Sequence, residues 1–421
     1  MFQSGAQFMI LVLLAGLLLM RESQQAPISG IDDAYADFLA INARRSGETS
    51  STTLVAIDQN TLDVRPWPWT PLDFALFFQS AEQFKPAAVA TDEVLHWDVK
   101  TMQPDAARKL PQYQKILREH VLRASKVLAS ARLGFPEDPT MPPAVQETPI
   151  IRNISGDLSA VPEFTAIDAQ ADDDFRLSSV TGFVNLPGGA GYTRTVPLIM
   201  KYHGQVVPGF VLQAILIWEK LTTDDVTVEP GVRVRIADRV SIPIDREGRM
   251  RIDFGVPRRR CGFDDLVLAS DQAEHDRAPI VPRDWITDKF LLLTRTDAAA
   301  KTVQFAPGRA GSPGELFAAA IGTIQNRSFI QRVPAWFDYG MIFVMVLLAR
   351  ACRRWKKAST VLVIVMAGVI YTMLALVLFS HSLVWLPAVL PGGLLLFIAL
   401  FRLATPGTES EWDVVPREYR R

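Results

Sequence analysis

Two runs of apolar residues each close on an aspartate. "TLVAID" (53–58) ends at Asp58, with Asn60 just beyond, and "PAAVATDEVLH" (86–96) carries Asp92 with Glu93 beside it. Two carboxylates so placed can hold a divalent cation or an amine, because hard cations take oxygen ligands. They can also act as an acid and base pair where their surroundings push their pKa values apart. The same residues equally serve to cap the following helices or to accept backbone N–H bonds in turns. Between the two runs stand Trp67 and Trp69, set among Pro66 and Pro68. Exposed, they form a platform for a ring, a sugar or a protein partner. Buried, they plug a crevice mouth, the prolines fixing the turn and each indole N–H finding a carbonyl. Asp58, Trp67, Trp69 and Asp92 are therefore the candidate ligand-binding set.

Little else in the chain carries chemistry. Arg194, in "GYTRTVP", could meet an anion or make a solvated ion pair. The histidines, His96, His120, His203, His275 and His381, show no metal-ligand spacing. Cys261 and Cys352 lie too far apart in sequence for a zinc motif, and Cys352 ends an apolar run, which disfavours a disulfide between them. "LPGGAGY" (186–192) has glycines without the strand-to-helix setting of a phosphate loop. No nucleophile completes a catalytic set. The sequence thus predicts no enzyme, no catalytic residue, no metal and no cofactor. Net charge is −1 over 421 residues, with no basic block interleaved with aromatics, so a nucleic-acid partner is not expected.

The elements that would position the candidates alternate. "TLVAID" is a buried strand, and "PLDFALFFQSAEQF" (71–84) a helix with a proline start. "PAAVATDEVLH" is the next strand. The next helix lies in "DAARKLPQYQKILREHVLRAS" (105–125), with its proper start expected after Pro111. "KVLASARL" (126–133) is a third strand. Strand–helix alternation implies right-handed crossovers and a parallel sheet covered on both faces. Residues 136–180, rich in proline and aspartate, read as long loops. Short strands then mix with a helix near Pro208–Leu221 and a hairpin turning at "DREG" (245–248), before a strand in "KFLLLTRT" (289–296) and a helix in "SPGELFAAAIGTIQNRSFI" (312–330). The predicted fold class is an α/β domain, mostly parallel, with helices on both faces and inserted antiparallel hairpins, plus α-helical transmembrane segments.

Membrane character is the strongest signal. "TVLVIVMAGVIYTMLALVLFS" (360–380) is uncharged and long enough to span, a task that needs roughly 20 residues. "LVWLPAVLPGGLLLFIALF" (383–401) is nearly as long, and Pro387, Pro391, Gly392 and Gly393 predict a kink in it. "WFDYGMIFVMVLLARAC" (336–352) is a third span, anchored by Trp336 and Tyr339. "FMILVLLAGLLLM" (8–20) lacks a basic leader and a small-x-small cleavage site, and reads as an uncleaved anchor. "ARACRRWKKAS" (349–359) concentrates five basic residues, whereas "SHSLV" (380–384) has none, so the basic loop is expected inside. The domain plan is an anchor at 5–21, an extracytoplasmic domain at 22–334, three spans in 335–403 and a short cytoplasmic tail at 404–421.

The order of motifs resembles the extracellular CHASE sensor domain of type 2, found in bacterial receptors ahead of kinases and cyclases. The resemblance rests on "VAIDQNTLDVRPWPW", "AAVATDEVLH", "GFVNLPGGAGYTRTVPL", "IPIDREGRMRIDF" and "KFLLLTRT" followed by "PGELFAAAIGTI", and covers most of residues 30–330. Three spans after the domain also look like that family. It implies a sensory module for an unknown small-molecule or envelope stimulus. This chain differs at "TPLDF", where the family carries an arginine, at "TRTDAAA", where it carries glycines, and at Phe317, where it carries a histidine. The tail past the last span is too short for an effector domain. The expected function is that of a multi-pass, inner-membrane sensor of bacterial type with a periplasmic domain, passing its signal to a separate kinase or cyclase. A structural or assembly protein of the envelope, holding a protein partner, is the alternative. The sequence leaves a homo-oligomer open.

Overall fold

A computed structural model describes residues 5–22, 29–43, 47–102, 104–135, 148–188, 191–352 and 355–404. The chain forms two compact units, one of residues 46–329 and one of the flanking segments 1–45 and 330–421.

The first unit is built on a seven-stranded sheet. Its strands are β1 (Thr52–Ile57), β2 (Ala88–Thr91), β3 (Val127–Gly134), β4 (Ala166–Ala169), β5 (Val180–Phe183), β6 (Arg259–Gly262) and β7 (Phe290–Arg295). Six run parallel in the order β6, β1, β7, β2, β3, β5, and β4 pairs antiparallel with the end of β3. The mostly parallel α/β domain read from the sequence is therefore present.

Alternation along each strand divides the core in two. Leu54, Ala90, Leu128 and Leu292 point to one side, where α4 (Phe210–Glu219) and α6 (Pro313–Gln325) cover them. Val55, Val89, Val127 and Leu291 point to the other, under α2 (Pro71–Glu82), α3 (Pro104–Arg123) and α5 (Phe263–Glu274). A strand buried on both faces reads as a continuous apolar run, which is what "TLVAI" and "FLLL" are. The aromatic weight lies on the second side, where Phe77 and Phe78 of α2 are fully buried. Truncating either to alanine would cost roughly 3–5 kcal/mol.

Four local expectations are corrected. Helix α3 begins at Pro104 and carries Pro111 inside it, instead of starting after it. The helix formers in "DAARK" carry the opening turns, and the proline removes one backbone bond without ending them. "DREG" is a turn, with Asp245 Oδ1 accepting from the N–H groups of Glu247 and Arg249 at 2.9 Å each, but it joins no hairpin ladder. Val240–Pro243 pairs with Arg233–Ile236, and Arg249–Arg251 pairs with Thr195–Pro197. The stretch read as loops holds short strands at Asn153–Ile154 and Glu163–Phe164 as well as β4, while residues 136–147 lie outside the described residues. Fourth, the strand expected over 86–96 ends at Thr91, so Asp92 and Glu93 lie just beyond it.

The second unit is helical. Ala335–Cys352 and Lys357–Ser382 are the two helices among the described residues that are long and apolar enough to cross a membrane by length and composition. Gly5–Glu22 packs against the first of these and against Val389–Ala404 through Phe8, Val12, Ile342, Met345, Leu390 and Leu394. The kinked span expected over 383–401 is instead a late-starting helix of 16 residues, short of the roughly 20 that a span needs. Val384–Trp385 pairs with Gln331–Arg332, Pro387 precedes the helix, and Pro391 falls in its first turn, where missing N–H groups cost nothing. Asp32 Oδ1 caps this start, accepting from Ala388 N at 2.7 Å and Val389 N at 2.8 Å.

Candidate functional site

Parallel strands with crossovers leave a crevice at their carboxyl ends, where the order of connections reverses. Here β7, the last strand in sequence, lies between β1 and β2. A cavity of about 590 Å³ opens there, reached by Asp92 and Glu93 after β2, Arg132 of β3, Thr294 and Arg295 of β7, and Lys301.

Asp92 is held from two directions. Thr294 Oγ1 donates to its Oδ2 at 2.8 Å, and the Gly314 N–H at the start of α6 also points at the carboxylate. Only glycine fits at 314, because a Cβ there would collide with the Thr294 side chain and stand 2.8 Å from Asp92 Oδ2. Ser312 fixes the helix start: it accepts from Glu315 N at 3.2 Å, while Glu315 Oε2 accepts from Ser312 N at 2.9 Å. Asp92 Oδ1 is buried and has no hydrogen-bond partner. Desolvation, reinforced by the neighbouring charge of Glu93, pushes the Asp92 carboxyl up to about 8. Burial likewise raises Glu93, against the opposing pull of Arg295 and Arg132.

The basic groups differ in how far they are committed. Arg295 makes a two-point bond to Asp297, Nε to Oδ1 at 2.9 Å and Nη2 to Oδ2 at 2.8 Å. Its guanidinium also lies 4.3 Å from the centre of the Trp67 ring. Arg132 is 3.7 Å from Asp168, both half-exposed, and Lys301 is exposed.

The four residues singled out from the sequence therefore part company. Asp92 lines the cavity. Trp67 is half-buried and reaches it through Arg295. Trp69 is core: it is 2% exposed, packs on Phe263 and Phe74, and donates its indole N–H to the Arg65 carbonyl at 3.0 Å. Asp58 caps the short helix α1 (Gln59–Val64), accepting from Thr61 N at 3.0 Å, and is not among the residues lining the cavity. Arg194 lies 5.1 Å from the Tyr192 ring centre. Both cysteines are free, and burial pushes the Cys261 thiol up to about 12, which makes it a packed, inert group.

Sequence reading missed Thr294, Gly314, Arg132, Arg295 and Lys301. The available signal was the strand end "LLLTRT" followed by the capping box "SPGE", which together mark a strand and a helix start converging on one place.

In comparison with known protein families, the model of the CHASE2 domain matches residues 9–351. No curated protein and no solved structure matches the chain.

Proposed function

The chain belongs to the CHASE2 family, whose domains are extracellular sensors, and from that premise we propose that it is a membrane-anchored receptor subunit. The crevice around Asp92 takes the stimulus by binding, not by catalysis. Ala335–Cys352 and Lys357–Ser382, with the shorter Val389–Ala404 and the N-terminal helix Gly5–Glu22 packed in the same unit, hold it in the inner membrane with the α/β domain in the periplasm. The signal passes to a separate effector, a kinase or a cyclase.

One observation carries this reading: the N-terminus of α6 closes on the half-buried Asp92 carboxylate, whose Oδ1 is enclosed, and the chain leaving α6 runs on through 326–334 into the apolar helix Ala335–Cys352. A ligand acts only by binding two arrangements unequally. A group that competes for Asp92 alters what α6 rests on, and α6 is the element continuous with a candidate span. Asp58, Trp67 and Trp69 then support the crevice: Trp67 steadies Arg295, Trp69 fills the core beneath, and Asp58 holds the turn after β1.

The test is co-purification of the full-length protein from its native membrane in mild detergent, with bound proteins identified by mass spectrometry. Recovery of a kinase or cyclase is expected. Recovery of envelope-assembly components alone would overturn the sensory reading in favour of a scaffold.

A further inference from the structure

The charges around the cavity are sorted by depth. On its buried side stand two carboxylates. Asp92 Oδ1 has no hydrogen-bond partner, and burial raises the neighbouring Glu93 against the pull of Arg295 and Arg132. By contrast, Asp73 accepts from Thr70 N at 2.9 Å, and Asp245 accepts two backbone N–H groups. On the exposed side stand two cations with loose or open engagement, Arg132 and Lys301. Arg295 is already matched by Asp297.

An unpaired buried acceptor calls for a donor, and a charged donor satisfies it best. A simple anion would meet the carboxylates first and gain nothing there. A simple amine would satisfy the buried side and leave the exposed cations repelling it. A metal ion finds too few ligands, since no group of three or more His, Cys, Asp or Glu side chains among the described residues could hold one. A molecule carrying both charges meets both sides. Building on the sensory reading of this cavity, we propose that it binds a small zwitterion of the α-amino acid class, its ammonium against Asp92 and Glu93 and its anionic group toward Arg132 and Lys301.

Binding has a proton balance. Burial pushes the Asp92 carboxyl up to about 8, which favours its protonated form at neutral pH. An ammonium docking on the Asp92 carboxyl displaces that proton, so that a carboxylic acid and an ammonium become a carboxylate–ammonium pair with one proton released to solvent. Affinity therefore rises as pH is raised from 6 toward 8.

The experiment is calorimetric titration of the full-length protein in detergent micelles with individual L-amino acids, and with succinate, cadaverine and calcium chloride as one-sided probes. At least one amino acid is expected to bind, with its deaminated and decarboxylated counterparts at least about tenfold weaker, a difference of ~1.4 kcal/mol. Its heat should vary with buffer ionisation enthalpy as a proton is released. Asp92→Asn should weaken binding at least about tenfold. Lys301→Ala, an exposed change that leaves the fold alone, should weaken it too. Equal or better binding by succinate, cadaverine or calcium, sensitive to Asp92→Asn, would keep the cavity as a ligand site and overturn the zwitterion. No binding by any probe would overturn the inference, while a co-purifying kinase or cyclase would still support a sensor.

Discussion

Asp58 and Asp92 occupy matching places, each just past the end of a buried parallel strand, yet they do different work. After β1 the chain turns directly into α1, and Asp58 is used up by its own local helix, through Thr61 N at 3.0 Å. After β2 no helix follows at once. Asp92 is met instead by groups from far along the chain, Thr294 and Gly314, and one of its oxygens is left without a donor. A carboxylate satisfied by its neighbours in sequence is structural. One enclosed by distant elements and left incomplete is available for a ligand.

Four substitutions break or sharpen that contrast. Gly314→Ala should do the most damage, because its Cβ drives into Thr294 and Asp92 and forces the start of α6 away from the sheet. A loss of roughly 3 kcal/mol is expected in denaturant unfolding of the full chain. A tolerated alanine would mean that α6 does not rest on Asp92.

Asp92→Asn comes next, and its sign depends on pH. The folded carboxyl titrates near 8, well above its unfolded value of about 3.9, so the native state holds more protons between those limits. Stability from this group is fully present below about pH 4 and is lost as pH rises through 8. The unliganded wild type should therefore weaken over that window, whereas Asp92→Asn should be flatter and, at pH 8, more stable by on the order of 2 kcal/mol. Parallel pH curves for the two proteins would sink the account of a buried, protonated Asp92.

Asp58→Ala should behave oppositely. It removes a cap worth about 1 kcal/mol, with no change in binding at the cavity. A loss of ligand affinity without loss of stability would reverse the two roles. The smallest effect belongs to Trp67→Leu, which strips the aromatic face from Arg295 and should cost about 0.5–1 kcal/mol, read as a modest shift in thermal midpoint.

Much of the scaffold was legible because both faces of β1 and β7 are buried, which writes an uninterrupted apolar run into the sequence. Edge strand β6 was not, since Arg259 and Arg260 precede a single buried Cys261 and the stretch resembles a loop. Asp92 was legible as a candidate through its place after an apolar run. Its distinction from Asp58 was not, because the deciding neighbours, Thr294 and Gly314, lie some two hundred residues away and nothing local announces them. The tryptophans illustrate the same limit. Pro66 and Pro68 mark a turn around both, but only packing on Phe263 separates the buried Trp69 from the half-buried Trp67.

The pairing of β1 also bears on how such a molecule is made. Thr53 pairs with Arg259 on one side and with Leu291 on the other. The strand thus leaves the ribosome early with both hydrogen-bonding edges open, and neither neighbour exists until most of the domain has been synthesised. A chain in that state presents "TLVAI" as a template for any passing strand. The order of synthesis leaves β1 open to aggregation when the chain is truncated before Arg295.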